Sequence, residues 1–138
     1  MKRAGFTLIE LSLCAIVVGI LVAGGVYAFK SSIDSARNAQ AMTVCTQIAS
    51  AISQYKYENK AYPATLANLL TVSPKSGNAY LSGLPAADPW GTTIESYGYL
   101  YRVNNNVFMV FSYGQDKIIQ SSSTPPTISG DDVGVVSK

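Results

Sequence analysis

The sequence predicts an α+β protein: a long N-terminal α-helix whose first half spans a membrane, followed by a C-terminal globular head on a small antiparallel β-sheet. Three observations carry this. Leu11–Phe29 is almost wholly apolar, and no charged residue lies between Glu10 and Lys30. Apolar residues then recur at three- and four-residue steps as far as Tyr55, with no Pro or Gly between Phe29 and Tyr57. Farther on, Pro and Gly punctuate the chain, and two runs of period-two alternation flank Asn104–Asn106.

The first element is a basic leader, Met1–Gly5, holding Lys2 and Arg3. Basic residues before an apolar run stay on the cytoplasmic side, so the C-terminal part is sent across the membrane. Without these two, the remaining basic side chains balance the eight acids, which leaves no basic footprint for nucleic acid. The apolar run, if helical, spans about 28 Å and matches a bilayer core.

Glu10 is the anomaly, because an acid inside a membrane helix costs about 2.5–3.5 kcal/mol on insertion scales. An ordinary secretory signal does not want it, and Val26–Tyr27–Ala28 is a poor cleavage site. A plain membrane anchor tolerates the length but leaves Glu10 unexplained. Cleavage after Gly5 keeps the apolar helix, starts the chain at Phe6, and places a new amino group close to Glu10.

Gly5–Leu11, G-F-T-L-I-E-L, resembles the processing site of the type IV pilin superfamily, which includes the pseudopilins of type II secretion systems. The resemblance implies that a prepilin peptidase cuts between Gly5 and Phe6 and methylates the Phe6 amine, and that Glu10 is the acid used in assembly. The physics of Glu10 agrees with that role. An acid in the first turns of a helix meets unsatisfied N–H groups and partial positive charge. In a stack of staggered helices it also meets the Phe6 amine of a neighbour, and breaking such a desolvated pair costs roughly 3–5 kcal/mol. The alternative is that Glu10 reaches the headgroups and caps its own helix.

The next element is the helical stalk. Ile33, Ala36, Ala41, Val44, Ile48, Ile52 and Tyr55 form one apolar stripe, opposed by Asp34, Arg37, Gln40, Gln47, Lys56 and Glu58. The expected organisation is a cleaved leader at 1–5, a helix at 6–58 and a head at 59–138. The helix divides into a membrane and assembly half, 6–29, and an amphipathic half, 30–58. Gly19, Gly24 and Gly25 permit close helix packing or local melting, or are unremarkable residues of a membrane span. Cys14 and Cys45 lie about 46 Å apart on one helix, far beyond the ~7 Å a disulfide spans, and both read as small buried residues.

The helix is expected to stop before Pro63, which disfavours helical geometry at Tyr62. A short helix follows at Ala64–Leu70, and Ser73–Gly77 and Gly83–Gly91 read as loops. Trp90 is the expected packing contact between head and helix. Tyr97–Val103 and Val107–Tyr113 form a hairpin, with Lys117–Gln120 as a candidate third strand, and the chain then turns polar.

Tyr62-Pro63, Asp88-Pro89-Trp90-Gly91 and Ser112-Tyr113-Gly114-Gln115-Asp116, in that order, are most similar to the major pseudopilin of type II secretion. That resemblance implies a C-terminal acidic loop that binds calcium. The residues available for it are Asp116, Asp131 and Asp132, the only acids after Glu95, with Ser121 and loop carbonyls to complete an oxygen shell. The loop here, Lys117–Ile128, has a Ser run and two prolines where the family usually has more Gly and acids, and a solvated polar tail is the competing reading.

No enzyme is expected. The chain has no His, no G-x-S-x-G, no P-loop and no Cys/His metal spacing. The function implied is a structural subunit that polymerises into a helical pseudopilus of a type II secretion system after prepilin processing. The second function weighed is a type IV pilin for adhesion, twitching motility or DNA uptake. The implied partners are further copies in a homo-oligomeric filament, the prepilin peptidase, an inner-membrane assembly platform, minor pseudopilins and the membrane, with no nucleic acid. The implied location is the bacterial inner membrane, single-pass with a periplasmic head, and then a periplasmic or extracellular filament.

Overall fold

The structure, a computed structural model, describes residues 6–93, 98–104, 106–123 and 126–137. Helix α1 runs Leu8–Asn59, followed by a 3₁₀ turn Leu66–Leu70. Strands are β1 (Leu100–Asn104), β2 (Val107–Ser112), β3 (Ser122–Ser123), β4 (Pro126–Thr127) and β5 (Val133–Val136). An α+β arrangement of one long N-terminal apolar helix and a small antiparallel sheet is what the sequence pattern predicts. The chain divides into two compact units, Met1–Ser35 and Ala36–Lys138, so the second half of α1 belongs with the sheet.

In the first unit the described residues from Leu8 are helical, and large apolar side chains from Leu8 to Phe29, among them Leu13, Ile20 and Val26, are exposed. This stretch is long and apolar enough to cross a membrane. The hydroxyls of Ser12 and Ser32 donate back to the carbonyls of Ile9 and Ala28, which satisfies them within the helix. A Cβ at Gly19, Gly24 or Gly25 would meet nothing within 4 Å, so no contact inside this chain requires glycine there.

In the second unit the sheet has order β1-β2-β5, both pairs antiparallel. The inward face of α1 is Ala41, Cys45, Ile48, Ala49, Ala51 and Ile52, while Ile33 and Ala36 from the expected stripe are exposed. Against it pack Tyr99, Tyr101, Phe108, Val110 and Val135. Tyr101 pairs with Val110 and Val110 with Val135, so the register lines these residues up on one face. The opposite face carries Leu100, Met109, Phe111 and Val136, packed with Tyr113 and Ile128. Strand β2 is therefore covered on both faces, with Ile128 packed over the outer one.

Helix α1 ends because Lys60 takes a left-handed conformation at φ 59° and its N–H bonds to the Lys56 carbonyl. The stop thus comes three residues before Pro63, the residue expected to force it. Asn106 at φ 66° closes the β1–β2 hairpin, and the turn is tied to α1 by Lys56 Nζ donating to Asn106 Oδ1 at 2.9 Å and Tyr62 OH donating to the Asn106 carbonyl at 2.7 Å. Tyr97 and Asn105 lie outside the described residues. Two expectations are corrected. Lys117–Gln120 is turn and coil rather than a strand, because Lys117 sits at φ 61°, which no extended strand accommodates. The third strand is instead β5, from the segment read as a polar tail. Trp90 is half-buried and stacks against the Arg37 guanidinium of α1, 5.1 Å from its ring centroid, and the core cluster on α1 is built instead by tyrosines and Phe108.

Candidate functional site

The start of α1 is built by Thr7-Leu8-Ile9-Glu10. The Thr7 N–H and hydroxyl both donate to Glu10 Oε2 at 2.9 Å, and the Glu10 N–H donates to Thr7 Oγ1 at 3.3 Å. This is the reciprocal capping box of an S/T-x-x-E sequence, a pattern present in the sequence but passed over in favour of the lone charge. In the single chain, then, Glu10 caps its own helix. Phe6 stands beside it, 82% exposed. Gly5 lies outside the described residues.

In the second unit, D-P-W-G and S-x-G-x-D form one assembly. The Asp88 carboxylate is 5% exposed. Its Oδ1 accepts from the Trp90 N–H at 3.2 Å and the Thr92 N–H at 2.7 Å, which makes the turn that an Asp before Pro favours. Its Oδ2 accepts from the Ser112 hydroxyl, and Ser112 Oγ in turn accepts from the Gly114 N–H at 3.3 Å. A buried carboxylate needs such partners. Sequence reasoning treated the two motifs as separate; the available signal was that Ser112 is the one polar residue ending an apolar strand. Beneath them Cys45 is fully buried, its thiol donating to the Val133 carbonyl at 3.5 Å, and burial pushes its pKa up to about 12. Cys14 and Cys45 are both free thiols, and Cys14 is exposed in the single chain.

The C-terminal loop brings the three predicted acids into one hydrogen-bonded loop. Gly114, at φ +71°, leaves room for the backbone of Asp131, where a Cβ would collide. Asp131 Oδ2 accepts from the Asp116 N–H at 2.9 Å. Asp132 is 7% exposed, and its Oδ2 accepts from the N–H groups of Gln120 and Ser121. Asp116 Oδ1 accepts from the Ile118 N–H at 2.8 Å and Oδ2 from the Gln120 carboxamide. The second oxygens of Asp131 and Asp132 are buried with no partner. Among the described residues no three His, Cys, Asp or Glu side chains converge as a metal cluster. What fits a hard cation is the pair of orphaned carboxylate oxygens, which have charge and free lone pairs and no donor. The hydroxyl of Ser121 is already an acceptor for the Ser129 N–H.

Comparison with known proteins places the chain by its sequence. The family described as type II secretion system (T2SS), protein G, matches residues 29–129. The type II secretion system core protein G of Pseudomonas aeruginosa is 35% identical over 125 residues, covering 83% of this chain and 85% of that one. The core protein G of Vibrio cholerae is 30% identical over 124 residues, covering 83% and 82%. That of Escherichia coli is 30% identical over 100 residues, covering 65% and 68%. No solved structure gives a significant match. A family match over most of the chain, together with relatives of this similarity and coverage, decides the matter: this chain belongs to the protein G family of type II secretion systems.

Proposed function

We propose that the chain is the repeating structural subunit of a type II secretion pseudopilus and works by polymerising, not by catalysis. The observation that carries this is the fully exposed apolar half of α1 in a chain of the protein G family. Such a surface is tolerated only in lipid or against other apolar helices. The bilayer houses it before assembly and neighbouring copies house it afterwards. The relatives are secretion-system proteins and lend nothing to the adhesion or twitching alternative.

In this reading residues 1–5 are a leader that a prepilin peptidase removes between Gly5 and Phe6, with methylation of the new amine. The protein then sits in the bacterial inner membrane with its head in the periplasm, and an inner-membrane platform adds it to a filament tipped by minor pseudopilins. Entry into the filament exchanges the Thr7–Glu10 capping box for a pairing of Glu10 with the Phe6 amine of a neighbour. The exchange is favourable because a cationic amine in low dielectric is a stronger partner than a hydroxyl and an amide. N-terminal mass analysis of the membrane-derived protein tests the processing step: the chain should begin at a methylated Phe6, and a start near Phe29 would overturn it.

Calcium belongs to the same reading, held by Asp131 and Asp132 with Asp116 beside them. The ion would supply neutralisation of adjacent carboxylates and nothing chemical beyond that. What supports it is the buried, unpartnered oxygen on each of Asp131 and Asp132.

A further inference from the structure

We propose that a cleft at the end of α1 is a docking site for an acidic peptide segment of another protein, whose carboxylates meet Lys56, Lys60 and Lys75 around Tyr57. The cleft has a volume of about 380 Å³ and is lined by Ser53, Lys56, Tyr57, Tyr62, Phe108 and Ser137, a size in the ordinary range of ligand pockets. Tyr57 is 69% exposed. Two ammonium groups lie against its ring, Lys60 Nζ at 4.9 Å and Lys75 Nζ at 5.1 Å from the centroid. They come from different elements. Lys60 is the residue that ends α1 at φ 59°. Lys75 sits in a turn where Ser73 Oγ accepts from the N–H groups of Lys75 and Ser76 at 3.2 and 3.1 Å. Inside the cleft, Lys56 Nζ donates to Tyr62 OH at 2.7 Å and to Asn106 Oδ1 at 2.9 Å. Among the described residues that leaves one of its three donors uncommitted.

The charge around the cleft is lopsided. Three ammonium groups gather near the Glu58 carboxylate, which already holds the hydroxyls of Ser73 and Tyr80. A helix C-terminus favours the cations of Lys56 and Lys60 on its own account. It does not explain Lys75, which a separate turn brings to the same ring. Like charges gathered on one ring repel, and a carboxylate set between them turns that repulsion into attraction. The aromatic walls decide the class of occupant. A small anion would leave Tyr57 and Tyr62 uncovered, whereas a peptide covers them with its own apolar groups while its carboxylates reach the lysines. Among the described residues of the head a second copy has no free acid to offer. Asp88 and Asp132 are buried, Asp116 and Asp131 are bonded within their loop, and Glu58 holds its two hydroxyls. The occupant is therefore a different chain.

The test is fluorescence anisotropy on the full-length protein in nonionic detergent micelles at low salt. The probe is a fluorescein-labelled peptide of glutamates around one phenylalanine, and its control is the same peptide with lysine for each glutamate. The acidic peptide should bind and the basic one should not. The double variant Lys60→Asn, Lys75→Gln should weaken the acidic peptide roughly tenfold, about what two partly exposed ion pairs contribute. Asn is chosen because it tolerates the left-handed backbone at Lys60. Tyr57→Ala keeps every charge and should still weaken binding several-fold, which diffuse charge attraction would not produce. Lys117→Asn removes a positive charge outside the cleft and should change nothing. No binding of the acidic peptide, equal binding of both peptides, or binding as tight in Tyr57→Ala and the double variant as in wild type would overturn the site. So would a loss in Lys117→Asn equal to that in the double variant. Displacement of the peptide by inorganic phosphate at the peptide's own Kd would make it a small-anion site instead. A carbodiimide cross-link from Lys60 or Lys75 to an acid of a second copy in assembled filaments would make it a contact between subunits, and either result overturns the proposal.

Discussion

Asp88 shows how much one side chain decides. Its carboxylate accepts from two backbone amides and the Ser112 hydroxyl while almost fully buried. Asp88→Ala leaves those donors unsatisfied and should lower the stability of the head by about 3 kcal/mol, against about 1.5 kcal/mol for Ser112→Ala, which keeps the two amide bonds. Denaturant melts of the two variants check the order, and equal losses would put the weight on the Ser112 bond alone. Glu10 is the other residue that decides something. Its charge was legible in the sequence as an oddity in an apolar run. That it also closes a capping box with Thr7 was equally legible, through T-x-x-E, and is what the single chain displays. The loop acids were legible as residue types but not as a network, because Gln120, the residue that joins them, carries no charge and no motif.

At the scale of elements, periodicity found α1 and the hairpin because both bury one face against a partner. The short helix expected at Ala64–Leu70 is a 3₁₀ turn at Leu66–Leu70; five residues give too few i→i−4 bonds to hold an α-helix, and Thr65 and Asn68 bond to each other at its start. Strand β5 was missed because Gly134 interrupts its valines and a polar stretch precedes it. Gly134 faces Phe111, where a Cβ would collide, so the interruption is itself a packing requirement. The end of α1 is joined to the next loop through Glu58, which accepts from the hydroxyls of Ser73 and Tyr80. The Ser73 bond, foremost, holds its carboxyl below the usual carboxylate value of 4.5. A depressed folded-state pKa contributes stability that is full above 4.5 and lost as pH falls through the folded value. The melting temperature should therefore drop on acidification below about 4.5 more steeply in wild type than in Glu58→Gln, which cannot titrate there. Identical acid slopes would remove Glu58 from the clamp.

For the whole molecule, two units with different surroundings share one helix: the first, to Ser35, carries the exposed apolar run that ends at Phe29, and the second, from Ala36, buries one face of the helix against the sheet. A ligand that binds only the folded head raises its stability by about 2.7 kcal/mol at a hundred times its dissociation constant. Millimolar calcium should therefore raise the melting temperature of the detergent-solubilised protein over chelator. The shift should vanish in Asp131→Ala and Asp132→Ala, and magnesium should substitute poorly because it demands a more rigid shell. The same melt in both conditions would mean that the loop relies on its protein contacts. The central claim is polymerisation through the exposed half-helix, with Glu10 as its electrostatic guide. It is tested most directly by electron microscopy of filaments from cells that make the secretion machinery with wild-type chain or with Glu10→Val. The account predicts normal membrane insertion of Glu10→Val, since an acid has left the apolar run, and a filament yield at least tenfold lower, because a pair worth roughly 3–5 kcal/mol is lost. Filaments from Glu10→Val in wild-type number and length would contradict it.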